Sequence, residues 1–135
     1  MNGQRFRLYL RVVGTVALLA VVAVVMPYSW MNAIHQALGM GELSCQPVVG
    51  YLARSTSAFY VILGALLWRL SFNPPEFRAM LQFLGVTIVV FGVTLLVVDW
   101  CEGLPAFWKY GEGPINIILG AVILMGYRST PAPPA

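Results

Sequence analysis

The segment that decides the fold is Val12–Trp30, which reads VVGTVALLAVVAVVMPYSW and contains 19 residues without a charged side chain. A helix rises about 1.5 Å per residue, so this length spans nearly all of a hydrocarbon core that is about 30 Å thick. The sequence therefore predicts a membrane-spanning helix. We expect it to be retained as an anchor, because no small-residue cleavage site follows it.

The composition extends this prediction to the whole chain. Of its 135 residues, 59% are hydrophobic and 10% are charged, whereas soluble domains carry about 25% charged residues. Eight Lys and Arg against five Asp and Glu give a net charge of +3, a surplus too small and dispersed for nucleic-acid binding. At about 20 residues per span, little chain is left for a domain outside the membrane.

Three further segments complete a predicted set of four spans: 47–70, 74–100 and 113–127. Pro47 suits the first position of a helix, and Asn73 followed by Glu76 resembles a capping box. Short connections between the later spans favour an up-down bundle. We predict an all-α, integral membrane four-helix up-down bundle in one domain, residues 1–128, followed by a disordered Pro/Ala tail at 129–135.

The cations predict the orientation of the bundle. Six of them fall on one side, Arg5, Arg7, Arg11, Arg69, Arg78 and Arg128, and two on the other, Arg54 and Lys109. The positive-inside rule then places both termini in the cytoplasm, which fits a bacterial inner-membrane protein. In the first outer loop Met31, Ile34 and Leu38 recur at helical spacing, and Ser29 suits an N-cap, so a short interfacial helix is expected there.

Five side chains capable of chemistry fall in the outer half: His35, Arg54, Asp99, Glu102 and Glu112. The inner parts of the spans contain no carboxylate or histidine, which argues against proton or ion transport. We predict that Arg54 pairs with Asp99 or Glu112, because a lone guanidinium below the interface is costly. The alternatives are a structural ion pair and an arginine that binds an anion or a lipid headgroup.

His35 has two interpretations. It is a surface or capping histidine, or it forms a metal site with Glu102 and Glu112; no ligand spacing such as HExxH supports the metal site, and we predict no metal and no cofactor. His35 with either glutamate is also the one pair that an enzyme would have available. A non-enzymatic role is therefore favoured.

Two cysteines and two glycines carry further predictions. Cys45 and Cys101 both fall on the oxidising side, which favours a disulfide over free thiols, and neither belongs to a redox-active CxxC motif. Gly85 and Gly92 lie on one helix face, where they permit close packing within the chain or between copies. The aromatic segment 100–114 is either the roof of a pocket or part of the aromatic belt.

Several short motifs occur along the chain: Pro27-Tyr28-Ser29-Trp30-Met31, Ile34-His35, Leu38-Gly39, Tyr51-Leu52-Ala53-Arg54-Ser55 and Glu112-Gly113-Pro114. In these motifs, and over nearly its whole length, the chain resembles a family of uncharacterised bacterial four-helix integral membrane proteins. The layout is also similar to that of the DoxX-like group, some members of which are linked to quinone or thiol redox systems. That likeness is one of architecture and implies no role for a particular residue.

These observations predict a small non-enzymatic membrane protein. We expect its outer face to bind membrane lipids, a lipid-like molecule, or a partner membrane protein, which includes a second copy of the chain. The alternatives are an accessory subunit of a larger membrane complex and a redox-linked protein of the DoxX-like kind.

Overall fold

A computed structural model describes residues 2–128 of the chain. Across that range the chain forms helices and no strand. The helices are α1 (Gly3–Leu18), α2 (Val21–Val25), α3 (Tyr28–Ala37), α4 (Pro47–Leu70), α5 (Arg78–Cys101), α6 (Ala106–Lys109) and α7 (Glu112–Arg128). The all-α prediction is confirmed, whereas the tail predicted at 129–135 lies outside the described residues.

Three of the helical segments are long and apolar enough to cross a membrane. They are Gly3–Val25, which joins α1 and α2, Pro47–Leu70 and Arg78–Cys101. The fourth predicted span corresponds to α7, whose 17 residues give a helix of about 25 Å, shorter than the hydrocarbon core. The structure thus shows a helical chain with three candidate spans, and the four-helix bundle stays a prediction.

The first span differs from its predicted bounds of 12–30. Helix α1 begins at Gly3 and includes three arginines, because arginine is a good helix former and does not end a helix. The predicted helix is interrupted near Pro27, because the residue before a proline disfavours the helical backbone conformation. Met26 accordingly adopts an extended conformation (φ −61°, ψ 134°).

The short helix predicted for the first outer loop is present as α3. It begins at Tyr28, and its N-cap is Pro27, which makes no side-chain capping hydrogen bond. Ser29, which the sequence suggested as the cap, lies inside the helix. Proline takes this position because its extended conformation (φ −60°, ψ 147°) is that of a typical N-cap residue.

The third span begins at Arg78, four residues later than its predicted start at 74. The capping box does not form, because the Asn73 side-chain amide donates to a Glu76 carboxylate oxygen at 2.7 Å. Residue Phe77 takes the N-cap position and makes no side-chain capping hydrogen bond. The polar pair therefore stabilises the turn before the helix rather than the helix end.

The described residues form two compact units, and α1 begins in one and ends in the other. The hairpin unit contains residues 2–10 and 70–128, and the loop unit contains residues 11–69. In the hairpin unit α5 and α7 run antiparallel and pack through paired glycines, Gly85 with Gly120 and Gly92 with Gly113. We call these four residues the glycine seam. It confirms that Gly85 and Gly92 serve packing within the chain.

The core of the hairpin unit lies beside this seam. Its fully buried apolar side chains include Phe6, Leu10, Leu81 and Ile123. The Tyr9 hydroxyl donates to the Leu119 carbonyl oxygen at 2.9 Å. This bond holds the start of α1 to the middle of α7.

In the loop unit, the end of α1 and helix α4 are also antiparallel. Gly14 faces Gly64, so that a Cβ added to Gly64 would lie 2.7 Å from the Gly14 carbonyl oxygen. Nearby, the Trp68 indole N–H donates to the Thr15 hydroxyl at 3.0 Å. The Arg11 guanidinium lies over the same indole, 5.6 Å from the ring centroid. Close backbone packing and one polar cluster therefore join the two helices.

Candidate functional site

Three of the predicted site residues belong to the segment that connects α5 to α7. We call residues 99–113 the α5–α7 junction. It contains Asp99 in the last turn of α5, Glu102 just after that helix, the short helix α6, and Glu112 at the start of α7.

Asp99 is the most unusual of these residues. Its side chain is 2% exposed, and its Oδ2 atom has no hydrogen-bond partner among residues 2–128. A buried carboxylate normally has donors or a cation beside it, because desolvation without compensation is costly. The side chain is therefore a candidate for a function other than packing.

The burial of Asp99 follows from its position on α5. It lies seven residues after Gly92, which lies seven residues after Gly85, so the three share one face of the helix. Those glycines pack against α7. Since α6 packs against α5, Asp99 stands at the α6 end of the glycine seam.

Glu112 is held by hydrogen bonds at the start of α7. Its carboxylate accepts a hydrogen bond from the Trp108 indole N–H, and its carbonyl oxygen accepts one from the Asn116 side chain at 2.9 Å. An acidic side chain in the first turn also interacts favourably with the helix dipole. Glu112 is therefore a half-buried, structurally supported anion.

Aromatic side chains and one cation surround the junction. The Lys109 ammonium lies over Trp100, 4.7 Å from the ring centroid, and Trp100 packs edge-on against Tyr110 with centroids 6.4 Å apart. Trp100, Phe107 and Tyr110 are all more than half exposed. The junction thus combines exposed aromatic surface, a cation and a buried anion within fifteen residues.

Glu102 has a simpler role at the end of α5. It is exposed, it takes the C-cap position, and its backbone N–H donates to the Val98 carbonyl. Across residues 2–128 no group of three His, Cys, Asp or Glu side chains is placed to hold a metal ion. The structure therefore gives no support to the metal site built from His35, Glu102 and Glu112.

His35 lies in the loop unit, where one face of α3 holds the loop that follows it. The His35 Nδ1 atom is 2.9 Å from the Gly41 carbonyl oxygen, which that nitrogen can contact only as a donor. The Asn32 side chain accepts from the Leu43 N–H at 2.8 Å, and the Tyr28 hydroxyl donates to the Leu43 carbonyl. The geometry matches the interpretation of His35 as a capping histidine.

A different face of α3 carries exposed apolar side chains. Trp30 is 61% exposed, and Ile34 and Leu38 follow it at intervals of four residues, each at least 44% exposed. Residues at this spacing share one side of a helix. Such a stripe on a short amphipathic helix is typical of one that lies in a membrane interface.

Arg54 has a partner that charge pairing did not predict. Its Nη2 atom donates to the Met26 carbonyl oxygen at 3.1 Å, and the side chain is exposed. That carbonyl is free because the helix is interrupted before Pro27. Pairing of Arg54 with Asp99 or Glu112 remains a prediction, since those residues belong to the other compact unit.

The two cysteines are exposed free thiols in the structure. Cys45 belongs to the loop unit, where its thiol hydrogen-bonds with Tyr28, and Cys101 belongs to the hairpin unit. Partial burial, this hydrogen bond and electrostatic interactions with Cys45 and Glu42 raise the pKa of Tyr28. The disulfide stays a prediction.

Several residues of the junction were missing from the sequence-based site. The sequence pattern indicates Lys109 and Trp108 only as members of the aromatic segment 100–114. No sequence pattern indicates the contact between Asn116 and the Glu112 carbonyl. The spacing of Gly85, Gly92 and Asp99 was readable, and would have placed the carboxylate on the packed face.

Comparisons of this chain with protein-family models, with curated proteins and with solved structures found no match.

Proposed function

We propose that this chain is a small non-enzymatic protein of the bacterial inner membrane, with both termini in the cytoplasm, which binds a lipid-like molecule at the α5–α7 junction. Three helices are long and apolar enough to cross a membrane, and α7 is proposed as the fourth span of an up-down bundle. The excess of arginines at one end supports the orientation.

The observation that carries this proposal is the composition of the junction. Its aromatic rings remain exposed beside a lysine, while the neighbouring Asp99 is buried with a carboxylate oxygen that has no hydrogen-bond partner within the described range 2–128. Sites for small amphiphiles combine apolar and aromatic surface with a few polar groups that fix orientation. The proposed orientation puts the junction at the outer surface of the membrane, where lipid headgroups lie.

Native mass spectrometry of gently extracted protein tests the proposal. We expect a lipid-like mass to stay bound in stoichiometric amount to the unaltered chain. Replacing exposed rings of the junction, as in a Trp100→Ala, Tyr110→Ala double variant, is expected to release it. The matched control is Trp30→Ala, which removes an exposed indole from α3. A chain that retains no lipid under any gentle extraction would contradict the proposal.

A second candidate is an accessory subunit of a larger membrane complex, and α4 favours it. Of its most apolar 18 consecutive residues only 6% are buried, compared with 28% of the corresponding residues of α5. The large side chains of Tyr51, Phe59 and Ile62 are each at least 65% exposed. A photo-crosslinking residue at position 59 would distinguish the candidates, because an accessory subunit gives a discrete protein adduct and a lipid-binding protein gives lipid adducts.

The redox-linked alternative of the DoxX-like kind depends on architecture alone. A quinone among the masses retained in the native spectra would favour it over a simple lipid.

A further inference from the structure

Asp99 is a polar residue at a buried position of α5 where an apolar side chain would pack at lower cost. On the packed face of α5 the other buried positions are Leu81, Leu84, Gly85, Ile88 and Gly92, all apolar. An apolar side chain at position 99 would avoid the cost of burying a charge. An ionisable group within a span is a candidate functional group, and its natural partner is a cation.

The fold restricts the direction from which that cation can arrive. Asp99 shares its face with Gly85 and Gly92, where an added Cβ would lie within 3.2 Å of α7 backbone atoms. The two backbones are therefore too close for a ligand to reach the carboxylate along the glycine seam. A small group can instead reach it from the end of the glycine seam, where seven residues, 104–110, lie between Gly103 and Gly111 and four of them form α6.

The chemistry of the junction favours an ammonium group. The residue after Asp99 is Trp100, which is 58% exposed. One face of its ring holds the Lys109 ammonium at 4.7 Å from the centroid, which shows that the ring attracts an ammonium group and leaves other ring surface for a ligand. The Asp99 carboxylate is an acceptor whose Oδ2 atom needs a donor. We propose that Asp99 and Trp100 form a site for an ammonium group, carried by a phospholipid headgroup or by a dissolved amine.

This inference rests on the proposed function and names the chemical class of the ligand. Lys109 then has a different role from Asp99. Its positive charge interacts with the phosphate group, which is present in every phospholipid headgroup. Asp99 selects headgroups that contain an ammonium, and Lys109 favours all phospholipids alike.

The experiment is a competition in detergent, followed by native mass spectrometry of the full chain. The probes are phosphatidylethanolamine and phosphatidylglycerol with identical acyl chains, in equal amounts. Because a hydrogen bond to a charged group contributes about 1.5–3 kcal/mol, we expect the chain to retain phosphatidylethanolamine at least about tenfold more than phosphatidylglycerol.

Three variants separate the roles of the charges. Asp99→Asn keeps the size of the side chain and is expected to abolish the preference. Lys109→Gln is expected to lower retention of both lipids equally. The matched control is Glu42→Gln, which removes an exposed carboxylate on the same predicted side of the membrane and is expected to leave the preference unchanged.

Excess dissolved ethanolamine distinguishes the two sources of the ammonium group. Displacement of phosphatidylethanolamine by ethanolamine assigns the site to amines in general, and retention of the lipid assigns it to headgroups. An Asp99→Asn chain that keeps the preference overturns the inference. If that variant does not fold, Trp100→Leu takes its place: a weakened preference supports the inference, and an unchanged preference overturns it.

The outcomes also separate this inference from the proposed function. Equal retention of the two lipids by the unaltered chain overturns the ammonium site and leaves lipid binding intact. Retention of neither lipid, or of any other lipid, overturns both.

Discussion

Gly85 and Gly120 face each other across the packed surfaces of α5 and α7. A Cβ added to Gly120 would lie 2.7 Å from the Gly85 carbonyl oxygen, and one added to Gly85 would lie 3.2 Å from the Gly120 carbonyl oxygen. Such close backbone approach is how helices associate where lipid supplies no hydrophobic driving force. The stability of the hairpin unit therefore depends on the absence of side chains at these positions.

Gly120→Ala is expected to destabilise the chain by about 1–3 kcal/mol, since the added methyl group meets backbone atoms that cannot move aside. The matched control is Gly50→Ala in α4, where the nearest atom to an added Cβ is the end of the Arg54 side chain at 4.0 Å. That change is expected to be neutral or stabilising, by up to about 1 kcal/mol. Unfolding temperatures in one detergent provide the measurement, and equal losses in the two variants would contradict the packing described for α7.

Arg54→Ala is expected to lower the free energy of unfolding by about 1 kcal/mol, because the Met26 carbonyl oxygen loses its donor. Arg5→Ala, which removes an exposed arginine from the start of α1, serves as the control and is expected to change stability less. Equal unfolding temperatures for the two variants would show that the Arg54 hydrogen bond contributes nothing.

The pKa of Tyr28 gives the loop unit a pH dependence. Its pKa in the folded chain is raised above the ordinary value of 10.0, so folding favours the neutral phenol. The corresponding stability is fully present below the ordinary pKa and is lost as the pH rises through the folded-state pKa. In reduced protein, where Cys45 is a free thiol, we expect the unfolding temperature of the unaltered chain to fall more steeply in alkali than that of Tyr28→Phe. Tyr51→Phe, at an exposed tyrosine, is expected to behave like the unaltered chain.

The cysteines test the predicted disulfide. From protein isolated without reductant we expect no maleimide adduct at Cys45 or Cys101, and from reduced protein we expect two adducts. Intact mass before and after reduction gives the answer. Two adducts without reduction would show that both thiols are free in the membrane, as they are in the structure.

The orientation is tested by labelling intact cells after reduction. A membrane-impermeant maleimide is expected to reach Cys45 and Cys101 from outside. In a chain that lacks both native cysteines, Asn73→Cys introduces a thiol in the turn before α5, and we expect it to be protected until the cells are opened. Labelling of position 73 in intact cells would reverse the proposed topology.

Much of the helical layout could be predicted from composition and spacing. The second and fourth segments begin and end within a residue of their predicted positions, because Pro47 and Gly113-Pro114 are strong local start signals. The start of α1 was predicted nine residues late, since counting apolar residues finds the part of a helix inside lipid and overlooks the part that extends into water.

The site was harder to predict than the helices. Charge pairing predicts a carboxylate partner for Arg54, which stays a prediction, and it gives no sign of the hydrogen bond to the main-chain carbonyl freed by the interruption at Pro27. Sequence patterns show which side chains carry charge and do not show which backbone acceptors a broken helix exposes. The sequence marks Asp99 as a candidate, which stays a prediction, and its burial is visible only in the folded chain.

The glycine seam has a genetic consequence. Where a larger substituted residue clashes with a side chain of the facing helix, a smaller residue on that helix can restore the packing. At Gly120 the nearest obstacles include the Gly85 carbonyl oxygen and the Val89 amide nitrogen, atoms that every amino acid possesses. No compensating substitution across the interface can make room, so a selection for second-site suppressors of Gly120→Ala is expected to return revertants at position 120 itself.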